Sequence, residues 1–242
     1  MKKLYKNPLL ILILGLVVIS AGSITATRAA MVYQSAAERV NFSTAEISVD
    51  VEELVDDSFI SVGEQNGLTF PEIANDDSFK IGKNYSENVR IVNNSNEETG
   101  YSEYVRVIVR KSWYKDGKNT NLDPSLIKLD IADGWFLNES ESTAEQSVYY
   151  KTSPLGCGNA TPFLTGITVD NKVTTLVTQK ETESSIESEY LYSGESLKIE
   201  IQGDAVQTHN AEDAIYAAWG VNVKCDAVDD GNIVSINGVN TQ

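Results

Sequence analysis

Apolar and polar residues alternate along much of the chain, which is the period-two pattern of β-strands with one buried face. One stretch covers residues 45–52, and another covers 104–113, where valines at every second position face away from Arg106 and Arg110. The Asp116-Gly117 pair follows the second stretch and predicts a hairpin turn, because Asp-Gly readily takes positive φ values. Further strands are predicted at residues 88–92, 127–131, 148–151, 167–169, 173–177, 197–201, 221–224 and 233–236.

One segment has helical rather than strand periodicity. Its apolar residues between positions 211 and 219 fall at the i, i+3, i+4, i+7 spacing of a helical stripe. Asn210 is the expected N-cap, Glu212 and Asp213 suit the first turn, and Gly220 can end the helix. We therefore expect a helix over residues 210–219 whose Trp219 face packs on a sheet.

Many short strands with one late helix predict a mainly β protein, an antiparallel β-sandwich of the jelly-roll type. Polar segments at residues 93–100, 138–146 and 180–189 are expected to be surface loops between strands. The sequence contains no internal repeat. We expect a single domain over residues 44–242.

The N-terminus has the order of a secretory signal. Lys2, Lys3 and Lys6 come first, an apolar run covers residues 8–19, and small residues follow over 20–30. The apolar run is shorter than the roughly 20 residues that span a membrane. We therefore expect residues 1–29 to be a signal peptide cleaved between Ala29 and Ala30, with the small residues at 21–23 as a second option.

The chain is strongly acidic, with a formal net charge of −16. Removing residues 1–29 takes away Lys2, Lys3, Lys6 and Arg28 and no acid, so the mature charge becomes −20. Nucleic-acid binding relies on clustered Lys and Arg, and only the Arg110-Lys111 pair is present. The composition therefore argues against a nucleic-acid partner and predicts a soluble, extracellular protein that meets the membrane only during export.

Two cysteines remain in the expected mature chain, Cys157 and Cys225. An oxidising exterior permits a bridge between them. Free thiols are equally compatible with the sequence, because the bond needs a geometry that spacing alone does not test. The sequence leaves both alternatives open.

Candidate catalytic and metal-binding residues are few. His209 is the single histidine, so the paired histidines of a zinc protease are absent, and no G-x-S-x-G motif occurs. The acidic stretch 226–232 superficially resembles a calcium loop but lacks acids at alternate positions and the closing Glu. We expect no catalytic residue, no metal site and no cofactor.

Tyrosine is abundant, with 11 residues in the chain. Aromatic side chains in strands usually pack across neighbouring strands, so core and rim positions are the main expectation and a ligand-binding patch is the alternative. The residues concerned are Tyr101, Tyr104, Tyr149, Tyr150, Tyr190 and Tyr192.

Two segments carry a more specific signal. They are the late block 205–215 with its continuation 218–221, and the strand 104–109 taken together with the signal end at 21–30. With the acidic exported body, they resemble the TasA and camelysin group of Gram-positive bacteria. The resemblance implies a jelly-roll domain that builds biofilm-matrix or cell-surface fibres with copies of itself, and with other matrix proteins as further partners.

In TasA-like fibres an N-terminal segment freed by signal cleavage adds as a strand to the next subunit. The matching segment here is residues 30–43, which contains the apolar residues Met31, Val32, Tyr33, Val40 and Phe42. The alternative is that this segment is a flexible lead or folds back on its own subunit.

Other functions stay open at this level. Some members of the group are described as metalloproteases, but His209 has no accompanying ligand set, so that activity is not carried over. A secreted metal-dependent peptidase and a monomeric cell-surface binding module are the two alternatives. Cys157, Cys225 and the tail over residues 226–242 lie outside the resemblance.

Overall fold

The computed structural model describes residues 47–63, 68–75, 79–96, 98, 100–181 and 186–241. The expected signal peptide, with Ala29 and Ala30, and the candidate donor segment with Met31, Val32, Tyr33, Val40 and Phe42 lie outside the described residues. Within the described residues the protein is mainly β, and its strands pair in antiparallel sheets, as the sequence predicts.

Fifteen strands and two α-helices cover the described chain. The strands are β1 Val49–Val55, β2 Ser58–Ser61, β3 Asn84–Asn93, β4 Glu103–Tyr114, β5 Lys118–Asn119, β6 Ile127–Ile131, β7 Trp135–Leu137, β8 Gln146–Lys151, β9 Ala160–Val169, β10 Val177–Glu181, β11 Ile186–Tyr190, β12 Ser196–Gln207, β13 Val223–Cys225, β14 Ile233–Ile236 and β15 Val239–Asn240. The helices are α1 Pro71–Ala74 and α2 Ala211–Trp219.

Two large sheets dominate. The first has the strand order β2-β1-β3-β9-β6, and the second has the order β12-β4-β8-β7, with β5 also paired to β4. Strands β10 and β11 form a separate hairpin, and β13, β14 and β15 form a small third sheet. Consecutive strands are often not neighbours, so the chain crosses repeatedly between the two large sheets.

The main hydrophobic core lies between the two large sheets. Alternate valines of β4 point into it, as predicted, and Arg106 and Arg110 lie on the opposite face. Its fully buried members come from both sheets: Val89, Ile91, Phe163, Leu164 and Ile167 from the first and Val105, Val107 and Val109 from the second. Burial of these side chains is the principal force that holds the sheets together.

Helix α2 packs on the outer face of the second sheet, where a smaller core surrounds Ile215. Trp219 contacts Tyr150 edge-on at 5.6 Å between ring centroids, so the predicted packing face is confirmed. Gly220 ends the helix in the left-handed conformation, also as predicted. Asn210 is the N-cap residue, as predicted, but it has φ 50° and its side chain donates to Asp213 instead of accepting a capping hydrogen bond.

Most predicted strands are present, and those at residues 127–131 and 233–236 have the predicted bounds. The Asp116-Gly117 turn is confirmed, with both residues at positive φ between β4 and β5. Strand β1 begins at Val49, later than residue 45.

Two predictions are wrong: the strand expected at residues 173–177 and the surface loop expected at residues 180–189. Residues Asn171–Thr175 form a 3₁₀ turn, because the Asp170 side chain accepts the backbone N–H of Lys172 and starts that turn. The polar segment expected to be a loop instead carries the β10–β11 hairpin. Pairing of the two strands with each other outweighs their polar composition there.

Candidate assembly site

One long side of the two-sheet core is closed by the chain itself. Edge strands β6 and β7 belong to different sheets and follow one another directly in sequence. Trp135 of β7 crosses to the first sheet, where its Nε1 donates to the Pro162 carbonyl at 2.8 Å and its ring contacts Phe163. This closed seam leaves little room for an additional strand.

The other long side has no such connection, and we call it the open seam. It lies between β12, the outer strand of the second sheet, and β1 of the first sheet. Gly203 of β12 packs against the Val49 and Val51 side chains, and a Cβ at Gly203 would lie 3.5 Å from both. Within the described residues β12 pairs with β4 alone, so the second edge of this 12-residue strand has no strand partner there.

Apolar side chains along the open seam are only partly buried. They pack against the main core yet retain exposure to solvent; they are Val49, Val62, Leu68, Leu197 and Ile201. Each remaining exposed apolar area costs free energy that a covering element would recover. The open seam therefore combines unpaired backbone groups with incompletely covered apolar surface.

The outer face of β12 is charged. Lys198 pairs with Glu200 at 2.8 Å, and Asp204 pairs with Arg106 of β4 at 2.7 Å. Charged residues on an edge strand reduce indiscriminate pairing with other chains. They point away from the core, so they leave the edge groups themselves uncovered.

A buried carboxylate, Glu53, lies on the inner face of β1. It is fully buried and accepts hydrogen bonds from the Thr69 backbone N–H at 2.8 Å, the Thr69 hydroxyl at 2.9 Å and the Phe70 N–H at 2.8 Å. Glu53 shares its face of β1 with Val51, so the segment bonded to it lies on the side that faces the second sheet.

A second buried acid, Glu87 of β3, lies beside Glu53. The pKa of Glu87 is raised to about 7: burial is the main cause, the Asn88 N–H opposes it, and the negative charges of Glu53 and Glu72 add to the rise. Its hydrogen bond with Glu53 also favours the protonated form. The two groups therefore act as an acid–carboxylate pair near neutral pH.

A third buried acid, Glu103, begins β4. Its backbone pairs with Leu155 in both directions, and its side chain is fully buried. Within the described residues, no donor meets the geometry of a full hydrogen bond to either of its carboxyl oxygens. Burial raises the pKa of Glu103 to about 8, partly offset by the Ser48 backbone amide.

Sequence reasoning missed these three acids, although a signal was present. Glu53 continues the inward series of Val49 and Val51, and Glu103 precedes the inward series that starts at Val105. A glutamate in phase with the apolar face of a strand predicts a buried carboxyl group.

The residues that the sequence offered as candidates for metal binding do not form a metal site in the described structure. His209 is exposed, its Nδ1 lies 3.0 Å from Asp229 Oδ1, and the two border an open cavity of about 460 Å³ with Tyr101. Both side-chain oxygens of Asp226 bond to Asn232, so they close the turn over residues 226–232. The described residues contain no group of three or more His, Cys, Asp or Glu side chains arranged to hold a metal ion.

The two cysteines are free thiols, so the disulfide alternative is not the one found. Cys157 Sγ contacts the carbonyls of Ser95 and Asn96, whereas Cys225 packs against the core under α2. The two thiols therefore lie in different surroundings and are not bonded to each other.

The tyrosines divide between core and surface. Tyr104 and Tyr150 are fully buried and Tyr192 is nearly so, whereas Tyr101 and Tyr190 are more than half exposed. Tyr190 borders a largely apolar cavity of about 420 Å³ together with Trp113 and Tyr192. Packing accounts for most of them, as expected.

In comparisons with known proteins, no family model, curated protein or solved structure matches the chain. In the described part of the chain, no helix combines the length and apolar character needed to cross a membrane. The fold and site thus define an antiparallel, mainly β protein with one open seam.

Proposed function

We propose that the protein is a secreted, non-enzymatic structural subunit of biofilm-matrix or cell-surface fibres. Its domain is a β-sandwich of the jelly-roll type, and each copy donates residues 30–43 as a strand to the open seam of the next copy. The partner is therefore a second copy of this chain, and no cofactor is needed.

The unpaired edge of β12 carries this proposal. An edge strand offers backbone N–H and C=O groups to an added strand, and pockets beside it select alternate side chains. The candidate donor has 14 residues and β12 has 12, so the donor is long enough to pair along the whole edge. Its apolar residues would cover the half-buried surface around Leu197 and Ile201.

The two seams also support an open polymer. Because β6 and β7 close one side in the described part of the chain, the proposal assigns the acceptor role to the β12 edge on the other side, and each copy carries one N-terminal donor segment. A donor passed from each copy to the next makes a heterologous contact, which produces a filament instead of a closed dimer. Signal cleavage between Ala29 and Ala30 would free the donor outside the cell.

Electron microscopy of purified protein spanning residues 30–242 tests the proposal. Fibres are expected for this form and not for one that lacks residues 30–43. Adding a synthetic peptide of residues 30–43 should stop fibre growth, while a scrambled peptide of the same composition should not. Fibres that persist without residues 30–43 contradict strand donation, and strictly monomeric protein at high concentration favours a binding module.

A further inference from the structure

A short segment packs beside the open seam, on the inner side of β1 and β3. Residues 68–74, which we call the plug, follow β2 and include α1. Leu68, Phe70 and Ile73 of the plug pack against the main core. The plug bonds to Glu53, two residues beyond the point where Val51 meets Gly203 of β12. It therefore lies against β1 and β3 on the inner side of the first sheet, next to the part of β1 that meets β12.

The plug is held mainly by carboxylates. Three donors of Thr69 and Phe70 converge on Glu53 of β1. In the opposite direction, Glu72 of the plug accepts the Ser86 N–H of β3 and pairs with Lys83 at 3.1 Å. Together with its three partly buried apolar side chains, these polar contacts hold the plug against β1 and β3.

The backbone of the plug is strained at its start. Phe70 has φ 49°, in the left-handed region, although it carries a bulky side chain. That conformation is unfavourable for an L-residue, because its Cβ comes too close to the backbone. The polar contacts to Glu53 must offset this strain, so their loss favours release of the plug.

We propose that the plug is a displaceable cover of the acceptor seam, latched by the Glu53–Glu87 carboxyl pair, and that its release admits the donor strand of a second copy. This inference rests on the proposed function, since it concerns the same seam. It adds a control step: an incoming strand must first displace residues 68–74.

The acid–carboxylate pair makes the latch sensitive to pH. The groups that face Glu87 are Glu53 from β1, Glu72 from α1 with its partner Lys83, and the Asn88 N–H. Below about pH 7 the protonated Glu87 donates to Glu53 and supports its bonds to the plug. Above that pH two adjacent carboxylates are buried together, and opening the plug hydrates both.

Amide hydrogen exchange at Thr69 and Phe70 tests the latch directly. The monomeric fraction of protein spanning residues 30–242 is measured at pH 6 and pH 8.5, with correction for the intrinsic pH dependence of exchange. Protection of these two amides should fall by about tenfold in total between the two pH values, because the loss builds up as the pH approaches the raised pKa of Glu87 near 7 and levels off above it.

Two variants separate the roles of the paired acids. Glu87→Gln supplies an amide donor to Glu53 at every pH, so protection should stay high at pH 8.5. Glu53→Gln removes the carboxylate acceptor, so protection should be low at both pH values. The matched control is Glu139→Gln, an exposed acid far along the chain, which should behave like the unmodified protein.

Fibre growth, followed by light scattering, tests the plug as a cover. Growth should be faster at pH 8.5 than at pH 6, and Glu87→Gln should abolish the difference. Exchange without pH dependence, or the same pH dependence in Glu87→Gln, overturns the latch. If exchange shows that the plug opens but the rate of fibre growth does not change, the plug does not cover the acceptor seam. Absence of fibres under every condition counts against the proposed function, and the exchange data still test the latch.

Discussion

Glu103 gives a quantitative prediction about stability, because a buried carboxyl group that accepts no full hydrogen bond from the described residues must stay protonated or cost free energy. The substitution Glu103→Gln keeps the shape of the side chain and removes its titration. We expect this variant to be more stable than the unmodified protein at neutral and alkaline pH.

The magnitude follows from the pKa of Glu103, which burial raises from 4.5 to about 8. The fold therefore binds a proton that the unfolded chain releases, so stability is lost as pH rises above 4.5 and the loss levels off above about 8. Each pKa unit corresponds to about 1.4 kcal/mol, so ionisation opposes folding by roughly 3 kcal/mol near pH 7.

Guanidinium unfolding between pH 4 and pH 9 measures this effect. The unfolding free energy of the unmodified protein should fall across that range, and Glu103→Gln should remove about 3 kcal/mol of the fall by pH 7. Glu139→Gln, at an exposed position, should retain the full slope. Parallel pH profiles for the unmodified protein and Glu103→Gln would refute the reasoning.

Three further predictions concern the seam, the second core and the thiols. Ile201→Lys places a charge on the inner face of the open seam and should prevent the formation of fibres, as judged by electron microscopy. The control Gln202→Lys changes the next residue, which is exposed, and should still form fibres. Equal fibre yields from the two variants would exclude the β12 edge as acceptor. Ile215→Ala should lower the unfolding free energy by about 2–5 kcal/mol in denaturant titration, because Ile215 belongs to α2 and is fully buried in the second core. A smaller loss would mean that the site collapses around the cavity. Reducing agent should leave the melting temperature unchanged, since Cys157 and Cys225 are free; a drop on reduction would indicate a bond between them.

The alternation of apolar and polar residues predicted those strands and helices whose buried residues recur at the period of the element. Strand β4 and helix α2 show this, since their apolar residues repeat with the period of the element and face a core. The β10–β11 hairpin shows the limit, because its strands are stabilised by each other and their composition is that of a loop. Pairing partners are set by tertiary contacts, which a single-segment pattern does not contain.

The candidate site was less accessible to sequence reasoning. Strands β4 and β12 carry similar alternation, yet one is central and the other has an open edge. Edge status depends on the order of strands in the sheet, and that order arises from crossovers distant in sequence. The Glu53–Glu87 pair has the same origin, since β1 and β3 bring together two acids that are 34 positions apart.

The closure of one side by β6 and β7 limits how many neighbouring copies a subunit can bind. On the proposed function, one donor and one acceptor per copy permit linear growth without branching. A copy with an intact acceptor seam but no donor segment could receive a neighbour and pass nothing on. Small amounts of such a truncated form, produced by proteolysis near residue 43, would therefore terminate chains and set their average length.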